Sequence, residues 1–435
     1  MRIIRTTSPA RDAARVGFAW LLAGLLSASA LAADPAAAFR WWKGNLHTHS
    51  LWSDGDDFPE MVADWYKRHG YHFLAISDHN TLLAGRTNWI RVPNIKGLTE
   101  AFDKYEYRFG NWVEQRKEGN TPMVRLRPLN EFRPLLEVAD SFLLIPAEEI
   151  TERWKTAQIH VNATNLREVI QPQGGNTVLE ILQNNCNAVL DQRRRTGVPM
   201  FPHINHPNYT FGITAEELMR VSGERFFEIY NGHAKSMNDG DANHVSLDRM
   251  WDILLTMRLA VLNTGPMFGL AVDDAHNYHA LAVGKHNPGR GWIVVRAKQL
   301  TAEDLIIAME YGDFYASTGV VLRDLRRLQS GLLVAVEPAD GVTYTIQFIG
   351  TRKGFDPRSE PVRAPNGEAL RVTHRYSQDI GVVLAEVPGT VGTYNFKGDE
   401  IYVRAKIISS KLKENGSVKG EFETAWTQPL VTGWK

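Results

Sequence analysis

Short apolar runs recur along the first three quarters of the chain, and most of them stop at a histidine or a carboxylate. Residues 41–47 read as a first strand and 71–76 as a second. Between them, residues 58–69 carry Met61, Val62, Trp65 and Tyr66 at helical spacing, with Gly70 as the stop. Further strands are expected at 141–146, 158–162, 226–230, 260–263 and 291–295, and helices at 177–196, 250–257 and 302–311. This alternation predicts an α/β architecture, with polar groups collected at the carboxyl ends of parallel strands. Residues 82–140 break the rhythm and read as an insertion. Its Tyr105, Tyr107, Phe109 and Trp112 either cover the mouth of the site or belong to a plain helical excursion.

From about residue 325 the pattern changes. Residues 332–336, 342–348, 380–384 and 401–407 are β-type runs punctuated by Gly, Pro and Asp, which predicts an antiparallel β-sandwich. It holds no cluster of ligand-type residues and reads as a supporting or docking module. The other end reads as a secretory signal over residues 1–33. Arg2, Arg5, Arg11 and Arg15 precede an apolar run at 16–26, and Ala30-Leu31-Ala32 offers a cleavage site. That run is short for a span of about 20 residues. The expected divisions are a signal at 1–33, a barrel at 34–325 with the insertion at 82–140, and the sandwich at 326–435. The mature protein is expected to be periplasmic or secreted, with no membrane contact after cleavage.

A length of 435 residues favours two domains. With 49 basic and 49 acidic residues the net charge is zero, so nothing global steers the chain to nucleic acid or an anionic membrane. Cys186 is the single cysteine. It excludes an intramolecular disulfide framework and a thiolate-built zinc site, leaving histidines and carboxylates as metal ligands.

Such ligands are abundant. His47 and His49 alternate on a strand end, so their side chains share a face. Ser77-Asp78-His79-Asn80, Glu148-Glu149, His160, His206-Pro207 and Asp273-Asp274-Ala275-His276 follow, each near the end of an apolar run. A lone His-x-His is more often a pair of surface histidines. The series as a whole favours a multinuclear metal site.

The order His47-x-His49, Asp54, Ser77-Asp78-His79, Glu149, His160, His206-Pro207, Asp274-x-His276 resembles the polymerase and histidinol phosphatase (PHP) superfamily over residues 41–320. Residues 42–55, 78–80, 312–319 and 425–429 are similar to an exported branch near the carbaryl-hydrolase-like enzymes. The resemblance implies a distorted (β/α)7 barrel and two or three divalent ions, with Zn, Mn and Fe all compatible. It implies His47, His49, Asp54, His79, Glu149, His160, His206, Asp274 and His276 as ligands, with Glu149 rather than Glu148 bridging two ions. Beside them, His203, Asp78, Asp273 and His233 are expected to orient ligands. His69, His72, His244, His279 and His286 are assigned to structure or solvent.

The implied activity is hydrolysis of a small-molecule ester by a metal-activated hydroxide, first a phosphoester. A carbamate or carboxylic ester is the alternative. A non-catalytic ligand-binding protein is the alternative from another class. His233 and Asp54 are the candidates for proton transfer to the leaving group, and Arg86 and Arg91 the candidates for a phosphate clamp. The oligomeric state stays open.

Overall fold

The computed structural model describes residues 39–85, 88–92 and 99–431. The expected signal at 1–33 lies outside the described residues. Among those described, no helix is long and apolar enough to cross a membrane.

The fold is mixed α/β around one large mixed sheet. Its strands run in the spatial order Phe268–Val272, Phe226–Asn231, Phe201–Ile204, Ala157–Thr164, Leu143–Trp154, Phe73–Ile76, Arg40–Asn45 and Trp292–Ala297. Beyond Trp292–Ala297 come Phe314–Ser317, Phe422–Thr427, Glu400–Leu412, Tyr344–Arg352 and Val382–Pro388. The path also turns back on itself. Just past the first strand, Thr48 bridges Ala275 in parallel sense, and the His47 carbonyl accepts from Asp274 N at 2.9 Å. The backbone carrying His47 and His49 is thereby stitched to the backbone carrying Asp274 and His276.

The strands of this ring are not uniformly parallel. Leu143–Trp154 and Ala157–Thr164 form an antiparallel hairpin, and Ala157–Thr164 is antiparallel to Phe201–Ile204 as well. Lys155 turns the hairpin at φ 54. His160 therefore enters the site from the middle of a reversed strand, not from a carboxyl end. The expected strand at 141–146 runs on to Trp154, because Ile150 continues the apolar alternation past the two glutamates. Period two then sends Glu148 and Glu149 to opposite faces.

The helices follow their local signals. Val178–Thr196 starts at Thr177, whose hydroxyl accepts from Glu180 N at 3.1 Å, and stops at Gly197 with φ 69. The strand expected at 260–263 is not formed. Leu247–Ala260 is one helix, buried without a break from Met250 through Arg258, so its apolar run shows no helical period. Val261 and Leu262 beyond it are exposed, and the strand is Phe268–Val272.

In the insertion, Asn88–Arg91, Thr121–Leu126 and Gln115–Glu118 form a small antiparallel sheet beside helices Thr99–Phe109 and Leu129–Leu136. Tyr105 is buried and stacks on Phe58 with ring centres 4.1 Å apart, fastening the insertion to the segment after His49. Tyr107 faces solvent, and none of the four aromatics lines the site cavity.

The C-terminal strands Leu322–Leu328, Gly331–Val336 and Val391–Asn395 make a separate antiparallel sheet. Leu325, Leu332 and Val334 share an apolar cluster with Ile346, Phe348, Val403 and Ile407 of the large sheet. Phe314–Ser317 pairs with Phe422–Thr427, joining the C-terminal part to the ring. Gln428 strengthens the join: its side-chain amide exchanges two 2.9 Å hydrogen bonds with the Gly269 backbone.

Candidate metal centre

His47, His49, Asp54, His79, Glu149, His160, His206, Asp274 and His276 converge on one site, buried except on the side of Asp54 and His79. Nε2 of His47 and Nε2 of His49 face each other at 3.2 Å. Asp274 Oδ1 lies 3.3 Å from the first and 3.2 Å from the second. The two Glu149 oxygens stand 3.4 and 3.5 Å from the same nitrogens. Donor atoms about 2.1 Å from a common ion in a tetrahedral shell are about 3.4 Å apart, so the spacing of His47, His49 and Asp274 fits one divalent cation.

Two further groupings share these residues. Asp54 Oδ1 lies 3.3 Å from His276 Nε2, 3.5 Å from His79 Nε2 and 3.7 Å from His49 Nδ1. On the other side, Glu149 meets His79 Nδ1 at 2.7 Å, His160 Nδ1 at 2.8 Å and His206 Nε2 at 3.5 Å. Glu149 thus reaches five imidazoles. The donor set is imidazole and carboxylate throughout, which suits Zn, Mn or Fe.

The electrostatics agree. Burial opposes ionisation of Glu149 and Asp274, yet the surrounding imidazoles hold both carboxyls well below their ordinary range. Burial likewise opposes charge on His47, but Asp274, Glu228 and Glu149 raise its pKa well above normal. Buried negative charge of this density calls for cations, and divalent ions would satisfy it more fully than protons.

The surrounding contacts fix the site. Asn205 donates to Glu149 Oε1 at 2.7 Å and to Asn162 Oδ1 at 3.0 Å. Thr151 Oγ1 lies 2.6 Å from His79 Nδ1. Asp78 accepts from Ser50 N at 2.8 Å and from Ser50 Oγ at 2.6 Å, holding the turn that carries Asp54. Asp273 accepts from Tyr66 Oη and from the backbone of Gly289, Arg290 and Gly291. These two aspartates therefore shape loops, not imidazoles. Asn80, His206 and Asp274 all have positive φ (48, 21 and 50), so backbone strain is concentrated where the side chains converge.

Glu148 points away and accepts from Ile170 N at 2.6 Å. His233 lies at the cavity wall, its ring stacked on His286 at 3.5 Å. Burial lowers its pKa to about 3, and Nδ1 accepts from Lys235 N, so the neutral ring keeps its proton on Nε2. Asp54 is half exposed. Burial opposes its ionisation, but His276 and His79 hold it strongly ionised. At neutral pH Asp54 therefore has no proton to give to a leaving group, contrary to the expectation from the sequence, and His233 is a neutral hydrogen-bond donor. Arg86 lies outside the described residues, and the exposed Arg91 does not line the cavity.

The sequence reading missed Glu228, Asn205, Asn231 and Tyr209, and it placed His286 elsewhere. His286 and Tyr209 line the cavity, which has a volume of about 270 Å³. Glu228 is fully buried in the strand Phe226–Asn231 and contacts His47, His203 and the His206 backbone. A carboxylate in an apolar strand was its one visible signal, since such a group needs buried partners.

Fold and site define a mixed α/β protein with a buried His–carboxylate cluster suited to divalent ions. No family model matches the chain. It is 33% identical over 70 residues, 16% of its length, to the DNA polymerase/3'-5' exonuclease PolX of Bacillus subtilis. That stretch spans 12% of the curated relative's own length. Among solved structures, it is similar to a two-domain protein from Bacteroides vulgatus containing a predicted PHP-like metal-dependent phosphoesterase. The similarity covers 90% of this chain and 95% of the other, with 14% identity and a TM-score of 0.39.

Proposed function

We propose that this protein is a PHP-type metal-dependent hydrolase acting on phosphoesters, of the exported branch near the carbaryl-hydrolase-like enzymes. The observation that carries the reading is the His47, His49 and Asp274 donor set, with mutual contacts of 3.2–3.3 Å, and Glu149 reaching the same two imidazoles at 3.4 and 3.5 Å. The motif order supports it, as does the local similarity to the Bacillus subtilis polymerase. The ring of strands from Arg40–Asn45 to Phe268–Val272 is read as the distorted seven-stranded barrel, and the paired C-terminal sheets as the sandwich.

Two or three divalent ions held by these residues would supply Lewis-acid activation of water and neutralise charge on the phosphoryl oxygens. The protein's own part is positional. Glu149 keeps the groupings together, and Asn205 fixes its orientation. His233 presents a neutral N–H to a departing oxygen, while the ionised Asp54 would serve as a ligand beside His276 and His79.

The test measures metal content and hydrolysis of p-nitrophenyl phosphate, bis-p-nitrophenyl phosphate and an aryl carbamate by full-length protein. Chelator-sensitive turnover of a phosphate ester is expected. A folded, fully metallated protein that hydrolyses only the carbamate would move the substrate class, and one that hydrolyses none would overturn the reading. The chain is also proposed to be exported to the periplasm or medium. Mass spectrometry of native protein should find an N-terminus near Ala33, and Met1 retained on cytoplasmic protein would refute export.

A further inference from the structure

The residues lining the metal-site cavity are Asp, Glu, His, Asn and Tyr. Its volume of about 270 Å³ holds an ester head and offers little apolar surface for the rest of a substrate. Next to it lies a second cavity of about 560 Å³, and His233 lines both. This volume falls in the range of small-molecule sites, about 300–1,000 Å³.

The second cavity has a different chemistry. Met237, Val418 and Phe422 line it and are 44%, 50% and 48% exposed, a grouping of large apolar side chains around one opening. Tyr230 and Trp426 add a stacked pair with ring centres 6.2 Å apart. The lining Lys406 is paired with Asp248 at 2.6 Å and Glu421 with Lys413 at 2.8 Å, and the other two charged lining residues, Asp239 and Lys419, are exposed to solvent at the rim. Val418, Phe422 and Trp426 come from the C-terminal strands and their loop, Tyr230 and Met237 from the ring. The cavity exists only where the two parts meet.

We propose that this second cavity binds the apolar, aromatic alcohol portion of an ester whose scissile group lies in the metal site, with Met237, Val418 and Phe422 setting selectivity. The inference rests on reading the His–carboxylate cluster as an ester-hydrolysing centre. It gives the C-terminal module a share in substrate recognition beyond the support expected from its sequence.

The test uses full-length, metal-loaded protein and two readouts. The first is the ratio of kcat/KM for biphenyl-4-yl phosphate over phenyl phosphate. The second is calorimetric binding of 4-phenylphenol, which needs no turnover. Val418→Trp and Met237→Trp place bulk in the cavity from different elements and start from exposed side chains, so one can stand in if the other fails to fold. Each is expected to lower the ratio about tenfold and to weaken 4-phenylphenol binding about tenfold, the scale of discrimination an apolar pocket gives. An unchanged ratio and unchanged binding in a folded variant overturns the proposal, as does wild-type protein that does not bind 4-phenylphenol. If neither ester is hydrolysed while 4-phenylphenol binds and the variants weaken it, the proposed hydrolysis fails and the cavity assignment stands.

Discussion

Glu228 Oε1 lies 2.6 Å from Nδ1 of His47, and both side chains are fully buried. The contact turns His47 so that Nε2 faces His49, Asp274 and Glu149. The other Glu228 oxygen accepts from His206 N at 2.7 Å and Asn231 Nδ2 at 2.8 Å, so one carboxylate positions two ligand-bearing segments. Glu228→Gln keeps the shape and removes the charge. It should weaken metal binding about 10–100-fold, the usual effect of losing a ligand's supporting partner. Competition with a chromophoric chelator measures this. Unaltered affinity would show that the backbone alone orients His47.

Glu149→Gln probes the bridging role. The side chain lies within 3.5 Å of His47, His49, His79, His160 and His206, so losing its charge affects every grouping at once. Loss of at least one metal equivalent is expected, with turnover falling by about two orders of magnitude or more. Elemental analysis and steady-state kinetics on the same preparation check both. A larger loss from Glu148→Gln would mean the bridging residue is misassigned.

Glu148 makes a separate prediction about pH and stability. Burial pushes its pKa from the ordinary 4.5 up to about 8, against a single hydrogen bond from Ile170 N. The folded protein therefore holds a proton that the unfolded chain releases across that window. The group's stabilising contribution is complete below pH 4.5 and is lost as pH rises to about 8. Glu148→Gln, neutral throughout, should match wild type near pH 4 and exceed it by about 3 kcal/mol at pH 7. Urea unfolding at several pH values gives the difference. A pH-independent difference would place the Glu148 carboxylate in water or on a cation.

What was legible in the sequence was local. His47-x-His49, Asp78-His79 and Asp274-x-His276 each need only a strand end and its turn, and a few residues specify that. Glu228 acts on a residue 181 positions away, so no short window could show the pairing. His286 reaches the cavity by stacking on His233, which depends on the loop anchored by Asp273. The misplaced strand at 260–263 has the same origin. A helix buried on nearly every side loses its amphipathic period, and its apolar tail reads equally well as a strand.

The last prediction concerns how the C-terminal strands are held. Arg404 and Asp252 are both buried and meet in two 2.8 Å hydrogen bonds, from Nε to Oδ1 and from Nη2 to Oδ2. Tyr402 Oη donates to the same Oδ1 at 2.8 Å. The pair joins the helix Leu247–Ala260 to the strand Glu400–Leu412, and that strand carries Lys406 and Ile408 at the wall of the second cavity. Burial opposes charge on Arg404, but Asp252 and Asp248 outweigh it and keep the guanidinium fully charged. Arg404→Met leaves Asp252 buried beside an apolar group. It should cost about 3–5 kcal/mol, as expected when one partner of a buried ion pair is removed. Replacing both, Asp252→Leu with Arg404→Met, removes the orphaned charge and should recover most of that loss. Thermal unfolding of the singles and the double reads the coupling. Metal content should stay at the wild-type value in each folded variant, because neither residue touches the His–carboxylate cluster. A double variant as unstable as the single would show that the link depends on Tyr402 and on packing, and that the ion pair contributes little.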